Sequence, residues 1–222
     1  MRWEPFSAGL ALGFLSIFFT DLMDDAASLG VSSGLPVTQD QFVLASLFVS
    51  GFLVFTLLER KLSHSRGSSQ IGVGFVAYLV AAGIGLHSIG EGLIVGNSIA
   101  SQVPIWELSS LFQGVSFSLH KFLEGFTIGV FFRPQPNLRT SIICLALAGI
   151  PYLAGISLGL STYPVNFATS FFALGAGSVV FMVIQLAPVL KSTRVTYVAV
   201  GFIVGFMLVY LGTLIHFTSS LY

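Results

Sequence analysis

The chain has 222 residues, of which 55% are hydrophobic and only 8% are charged. Soluble domains carry about 25% charged residues, so this composition predicts an integral membrane protein. Nine basic and nine acidic residues give a formal net charge of zero, and no basic tract is suited to binding nucleic acid. The single cysteine, Cys144, lies in an apolar run, where we expect a small packing residue.

Seven apolar segments are long enough to cross a bilayer, which takes about 20 residues of α-helix. In chain order they cover residues 5–23, 41–59, 71–98, 106–132, 139–160, 166–190 and 195–217. The links between them are acidic and glycine-rich at 24–40, basic at 60–70 and proline-containing at 133–138. The pattern predicts an all-α integral membrane protein, a bundle of seven transmembrane helices that forms a single domain over residues 1–222.

The basic residues predict the orientation of this bundle, because Lys and Arg in short loops stay on the cytoplasmic side. Under the seven-span assignment every Lys and Arg except Lys121 falls on one side of the membrane. These residues are Arg2, Arg60, Lys61, Arg66, Arg133, Arg139, Lys191 and Arg194. We therefore expect the N-terminus inside and the C-terminus outside.

Two neighbouring spans carry the same motif, His-x-x-x-Glu-Gly-x-x-x-Gly. It begins at His87 with Glu91 in the third span, and at His120 with Glu124 in the fourth. Ionisable residues at bilayer depth are costly and usually mark a substrate path or a relay. Residues i and i+4 lie on one face of a helix, so each His is expected to project with its Glu. The two helices are consecutive, and we expect them to be antiparallel and adjacent.

Two imidazoles and two carboxylates on adjacent helices can converge on one divalent cation. This ligand set suits Zn²⁺ and its borderline neighbours, at ~2.0–2.2 Å per ligand. Helix bundles assemble metal sites from Glu and His in this way. The glycine after each Glu, Gly92 or Gly125, would thin the helix and admit the ion or its water. Hydrogen bonds between helices without an ion are the alternative interpretation of these four residues.

Glycine pairs such as Gly92/Gly96, Gly125/Gly129 and Gly201/Gly205 also favour close helix packing.

The two motifs resemble the fourth and fifth helices of the ZIP (zinc- and iron-regulated transporter-like) family. The resemblance is weaker at residues 19–26, 51–60 and 175–186, which are similar to that family's second, third and seventh helices. Members usually have eight spans, and the resemblance implies a short member without the first. The resemblance implies a transporter without enzymatic activity that imports Zn²⁺ through a mid-membrane site by alternating access. Fe²⁺, Mn²⁺ and Cd²⁺ are further candidates, and the cation is transported substrate, not a cofactor. A multi-pass location in the plasma or inner membrane is implied, and a homodimer is left open.

Binuclear members of that family place a second metal beside the first, using a polar residue after each signature His. The matching positions here are Ser88 and Lys121, so the resemblance implies a mononuclear site with an ammonium in place of the second ion. Lys121 is on the order of 15 Å from the helix end, too far for its side chain to reach the interface. We expect it to pair with Glu91 and Glu124. An ion pair with a purely structural role is the alternative.

Other polar residues near these spans have weaker signals. Asp21, Asp24 and Asp25 share one helical face near the outside, where they would attract cations to an access path or form a solvated helix end. Gln185 is a candidate polar lining residue.

An intramembrane metal-dependent hydrolase and a metal sensor remain alternative functions, since bound Zn²⁺ can activate water. The chain has no His-Glu-x-x-His sequence to support the hydrolase.

Overall fold

The computed structural model describes residues 4–32, 37–65, 73–100, 108–132, 137–161, 165–191 and 195–219. Within these ranges the regular structure is all α-helix. In chain order the helices are α1 (Glu4–Ser32), α2 (Val37–Ser65), α3 (Val73–Ala100), α4 (Leu108–Phe132), α5 (Leu138–Gly159), α6 (Val165–Lys191) and α7 (Val195–Ser219). The sequence prediction of seven helices is therefore confirmed.

Five of these helices are long and apolar enough to cross a membrane. They are Glu4–Ala27, Gln41–Lys61, Phe75–Ala100, Leu138–Gly159 and Phe167–Ala187. A shorter apolar helix runs over Val195–Leu211. The chain is thus an all-helical, multi-span membrane protein. The fourth predicted span stays a prediction, and residues 71–72 and 106–107 of the predicted third and fourth spans lie outside the described residues.

Helix α1 extends further than its predicted span, which stops at residue 23. The helix continues to Ser32 and carries Asp24 and Asp25 as exposed residues, where a link was expected. Hydropathy marks where a helix leaves apolar surroundings, whereas helical hydrogen bonds continue until a helix-breaking residue intervenes. Neither Asp24 nor Asp25 is such a residue, and the helix includes both. The acidic residues therefore lie on helix, not in a loop.

Packing divides the chain into two compact units. The first unit consists of Met1–Phe18, Val103–Val130 and Val183–Tyr222. The second consists of Phe19–Gln102 and Phe131–Met182. The first holds the start of α1, most of α4 and α7, and the second holds α2, α3, α5 and most of α6. The single-domain assignment stays a prediction.

In the first unit, α1 and α7 pack backbone against backbone. A Cβ atom added to any of four glycines would overlap a main-chain carbonyl of the facing helix. The contacts are Gly9 with Val198, Gly13 with Phe202, Gly201 with Phe6, and Gly205 with Leu10. Residue numbers rise together along both helices, so α1 and α7 are parallel. Small residues permit this approach in lipid, where van der Waals packing drives helix association.

In the second unit, α3 and α5 are also parallel and pack through glycines. A Cβ atom added to any of five glycines would overlap a main-chain carbonyl of the facing helix. The glycines and the residues whose carbonyls they meet are Gly85 with Leu147, Gly92 with Tyr152, Gly96 with Ile156, Gly155 with Ile89, and Gly159 with Leu93. The first of these contacts has a local cause. Pro151 lies inside α5 and has no N–H, so the carbonyl of Leu147 lacks its intrahelical donor. Gly85 of α3 packs against that carbonyl.

Helix α6 packs on both α2 and α3. Against α2 it is parallel, with Gly51 at the carbonyl of Leu174 and the rings of Phe55 and Phe181 5.9 Å apart. Against α3 it is antiparallel. The α3–α6 contacts are Gly83 with Ser178, Gly175 with His87, and Gly90 with Phe172. Within the units, α1 is thus parallel to α7, α3 to α5 and α2 to α6, whereas α3 is antiparallel to α6. Successive membrane crossings require this alternation.

The Gly125/Gly129 pair of α4 is the exception to the predicted glycine packing. No heavy atom lies within 4 Å of an added Cβ at either position in the described part of the chain. A repeated glycine spacing permits a close helix crossing, but a partner helix must also be present on that face. The expected close contact at this pair is therefore wrong, whereas those at Gly92/Gly96 and Gly201/Gly205 are confirmed.

Replacing Gly155 with Ala should destabilise the protein, because the new methyl group would overlap the carbonyl of Ile89 and force α3 from α5. Overpacking of this kind costs about 1–3 kcal/mol. Thermal unfolding in detergent measures the effect. The matched control in the same helix is Gly149→Ala, where an added Cβ meets nothing within 4 Å. Equal unfolding temperatures for the two variants would contradict the close α3–α5 packing.

Candidate metal centre

Helix α3 contributes His87 and Glu91 to the candidate centre. They are four residues apart, so helical geometry brings them onto one face, with Nε2 of His87 3.7 Å from Oε2 of Glu91. The His87 side chain is 1% exposed and that of Glu91 18%. The predicted His/Glu pairing on this helix is confirmed, and its histidine is one of the most deeply buried polar residues described.

Helix α6 fixes the position of His87. Gly175 lies so close that an added Cβ would overlap Cβ of His87. Ser178, one turn further along α6, is buried and donates its hydroxyl hydrogen to the carbonyl oxygen of Gly175 at 2.7 Å. The predicted second-site residue Ser88 follows His87 and is also buried, at 1% exposure. Neither His87 nor the α6 backbone beside it has room to shift.

Helix α4 contributes His120 and Glu124 in the same spacing. Nε2 of His120 is 3.0 Å from Oε1 of Glu124, and the exposed fractions of the two side chains are 22% and 5%. Lys121 lies between them in sequence. Its Nζ donates to both carboxylate oxygens of Glu124, each at 3.0 Å, and its side chain is 25% exposed. The predicted pairing of Lys121 with Glu124 is confirmed, and its pairing with Glu91 stays a prediction.

The Lys121–Glu124 pair explains how a carboxylate is accommodated in this apolar helix. Moving an isolated charge out of water costs several kcal/mol, and an opposite charge held in good geometry offsets much of that cost. Both oxygens of Glu124 are engaged by one ammonium group, and one of them also contacts an imidazole nitrogen. With a neutral imidazole, the trio on α4 carries no net charge. The Glu124 carboxylate can therefore be buried without a metal ion. A metal ion that bound Glu124 would have to share its oxygens with Lys121.

His87, Glu91, His120 and Glu124 make up a His/Glu group that could hold a divalent metal ion. The pair on α3 belongs to the second compact unit and the pair on α4 to the first. Each pair offers one imidazole nitrogen and one carboxylate oxygen, which are ligand types that suit Zn²⁺.

The other predicted site residues lie on α1 and α6. Asp21 is half-buried, whereas Asp24 and Asp25 are exposed, and all three lie on the C-terminal half of α1. Gln185 is half-buried on α6. Their predicted roles in an access path and as a polar lining stay predictions.

Three residues that support the centre were not predicted from sequence. Phe14 and Phe18 of α1 pack their rings against the imidazole of His120, and Gly175 packs against His87. The only sequence signal for the first two is their four-residue spacing, which many apolar helices share.

The expectation that Gly92 admits an ion needs correction. The absent side chain at Gly92 serves the α3–α5 contact, since an added Cβ would overlap the carbonyl of Tyr152, and does not open a space for an ion.

The chain is thus a membrane protein of several helical spans with a buried His/Glu cluster. Comparison with known proteins adds no relative: no protein-family model, curated protein or solved structure matches this chain.

Replacing Gly175 with Ala should weaken metal binding, because the methyl group displaces His87 from its place against α6. Loss of a group that orients a metal ligand typically lowers affinity about 10–100-fold. Competition with a chromophoric chelator measures the dissociation constant of Zn²⁺. The control is Gly125→Ala, which adds the same methyl group beside Glu124 with no neighbour within 4 Å. Equal affinities in the two variants would show that His87 does not bind the ion.

Proposed function

We propose that this protein is a divalent metal-ion transporter of the ZIP type, and that its His/Glu group binds the transported ion. The observation that carries the proposal is a buried His/Glu group in which each of two helices of a multi-span membrane protein contributes one His/Glu pair. Four ionisable side chains are costly to place among such helices, and function is the usual reason for accepting that cost. The resemblance of both motifs to ZIP signatures supports the same conclusion.

The ligand types favour Zn²⁺ as the substrate. Imidazole nitrogen and carboxylate oxygen suit borderline divalent cations, whereas thiolate or thioether ligands would favour Cu⁺. The only cysteine, Cys144, is a buried residue of α5 outside the group. Selectivity among Zn²⁺, Fe²⁺, Mn²⁺ and Cd²⁺ depends on geometry and availability, so these ions are competing substrates in the proposal.

Import is the proposed direction. The distribution of Lys and Arg favours a cytoplasmic N-terminus, and the alternating helix directions within each unit support an odd number of crossings. On that topology the acidic residues Asp21, Asp24 and Asp25 lie toward the outside. Carboxylates there would raise the local concentration of cations and speed their capture.

Lys121 is proposed to make the transport site mononuclear. Its ammonium group holds both oxygens of Glu124 and has a fixed positive charge, which would repel a second divalent ion. When the first ion leaves, the same ammonium remains to neutralise Glu124. The centre therefore changes its charge less during a transport cycle than it would without Lys121.

Metal flux into proteoliposomes tests the proposed function directly. Wild-type protein should admit Zn²⁺. Glu91→Ala and His120→Ala should each lower the initial rate of Zn²⁺ entry roughly 100-fold or more, because losing a ligand costs more than losing a residue that only orients a ligand. Glu4→Gln, which alters an exposed carboxylate of α1, should leave the rate unchanged. Flux that survives both site substitutions would refute the transport site. Bound metal without flux would instead favour the hydrolase or the sensor.

Counting metal ions per protein tests the mononuclear assignment. Elemental analysis after dialysis should find one tightly held Zn²⁺ in the wild type. Lys121→Met should bind the first ion more tightly, by roughly tenfold or more, because the competing ammonium is gone and a hydrogen bond to a charged group contributes about 1.5–3 kcal/mol. Two tightly held ions in the wild-type protein would overturn the assignment.

A further inference from the structure

Two phenyl rings of α1 contact the imidazole of His120. Phe14 and Phe18 are one helical turn apart and stack on each other, with ring centroids 5.1 Å apart and planes inclined by 16°. The His120 ring is steeply inclined to both, with centroids at 5.8 and 5.2 Å and interplanar angles of 71° and 64°. Both phenylalanines are fully buried, at 0% and 1% exposure. We call this pair the α1 aromatic clamp.

The inclination of the rings has an electrostatic reason. An aromatic ring carries negative charge on its faces and positive charge at its edge, so inclined pairs attract each other. Binding a cation through a ring nitrogen withdraws electrons from the imidazole and makes its edge more positive. The attraction to phenyl rings should then strengthen, as it does for cations over aromatic rings. The clamp therefore favours the metal-bound imidazole over the free one.

Helix α7 holds the α1 aromatic clamp in position. Gly13, next to Phe14, packs against the carbonyl of Phe202 in α7, and Gly205 packs against the carbonyl of Leu10. These backbone contacts leave α1 no freedom to rotate about its axis relative to α7. The direction in which both phenyl rings project is thus fixed by the packing of α1 on α7.

We propose that Phe14 and Phe18 are positioning residues that act through His120. They hold the imidazole at the angle where Nε2 meets the ion beside Glu124, and they stabilise the ring once the ion is bound. This inference rests on the proposed function, because it assigns a role toward the same ion. It assigns to α1 a direct part in metal affinity through apolar side chains alone.

Co²⁺ binding to the detergent-solubilised full chain tests the clamp, because Co²⁺ absorbs visible light in a pattern that depends on the geometry of its ligands. Phe14→Leu and Phe18→Leu each keep an apolar side chain but remove one ring. Each should weaken Co²⁺ binding roughly twofold to tenfold, the fold-change that corresponds to the usual worth of one aromatic pair. Each should also alter the absorption bands of the bound ion. The control, Phe167→Leu, removes a half-exposed ring of the Phe167–Phe171 pair in α6 and should change neither property.

The outcomes separate the clamp from the proposed site. Unchanged affinity and unchanged bands in both clamp variants, with binding abolished by His120→Ala, would overturn the clamp and leave the site intact. Binding that survives His120→Ala would overturn both. If one clamp variant does not fold, the other provides the measurement, because each ring contacts His120 independently. A merely structural role would lower the yield of folded protein and leave the bands of the folded fraction unaltered, which would also overturn the clamp.

Discussion

The buried carboxylate of Glu124 is the constraint on which the candidate centre depends. A carboxylate side chain that is only 5% exposed, on a helix of a membrane protein, requires a compensating charge. Lys121, three residues earlier in the same helix, supplies this charge, and its Nζ lies 3.0 Å from each carboxylate oxygen of Glu124. Helix α4 therefore carries a neutral, internally paired cluster wherever it packs. Under the proposed function, an arriving divalent cation would exchange with this ammonium, and the competition would lower the affinity of the site and favour release.

The two imidazoles of the centre are held by different kinds of contact. His87 lies against the backbone of α6 at Gly175 and is 1% exposed, so its position changes only if α3 and α6 separate. His120 is 22% exposed and contacts side-chain rings of α1, which tolerate small rotations. Under the proposed function, His87 would be the fixed ligand and His120 the adjustable one. The ion would then begin to leave from His120.

Local features of this protein could be predicted from sequence, because they depend on spacing along one helix. The pairs His87–Glu91, His120–Glu124 and Lys121–Glu124 follow from separations of three or four residues. The helix positions follow from hydropathy, although α1 and α2 both extend beyond their predicted spans. In α1 the acidic residues end the apolar run without ending the helix. Contacts between helices could not be predicted in this way. The packing at Gly175, the clamp at Phe14, and the open space around Gly125 in the described part of the chain depend on which helices meet. A pattern along a single helix does not encode that.

X-ray absorption spectroscopy of the Zn²⁺-loaded protein tests the central claim most directly, because it reports the atoms around the ion. Coordination by His87, Glu91, His120 and Glu124 predicts nitrogen and oxygen neighbours at ~2.0–2.2 Å, with outer-shell scattering from two imidazole rings. His87→Ala and His120→Ala should each remove one ring from that signal. A sulfur neighbour at ~2.3 Å, or a signal without imidazole, would contradict the account.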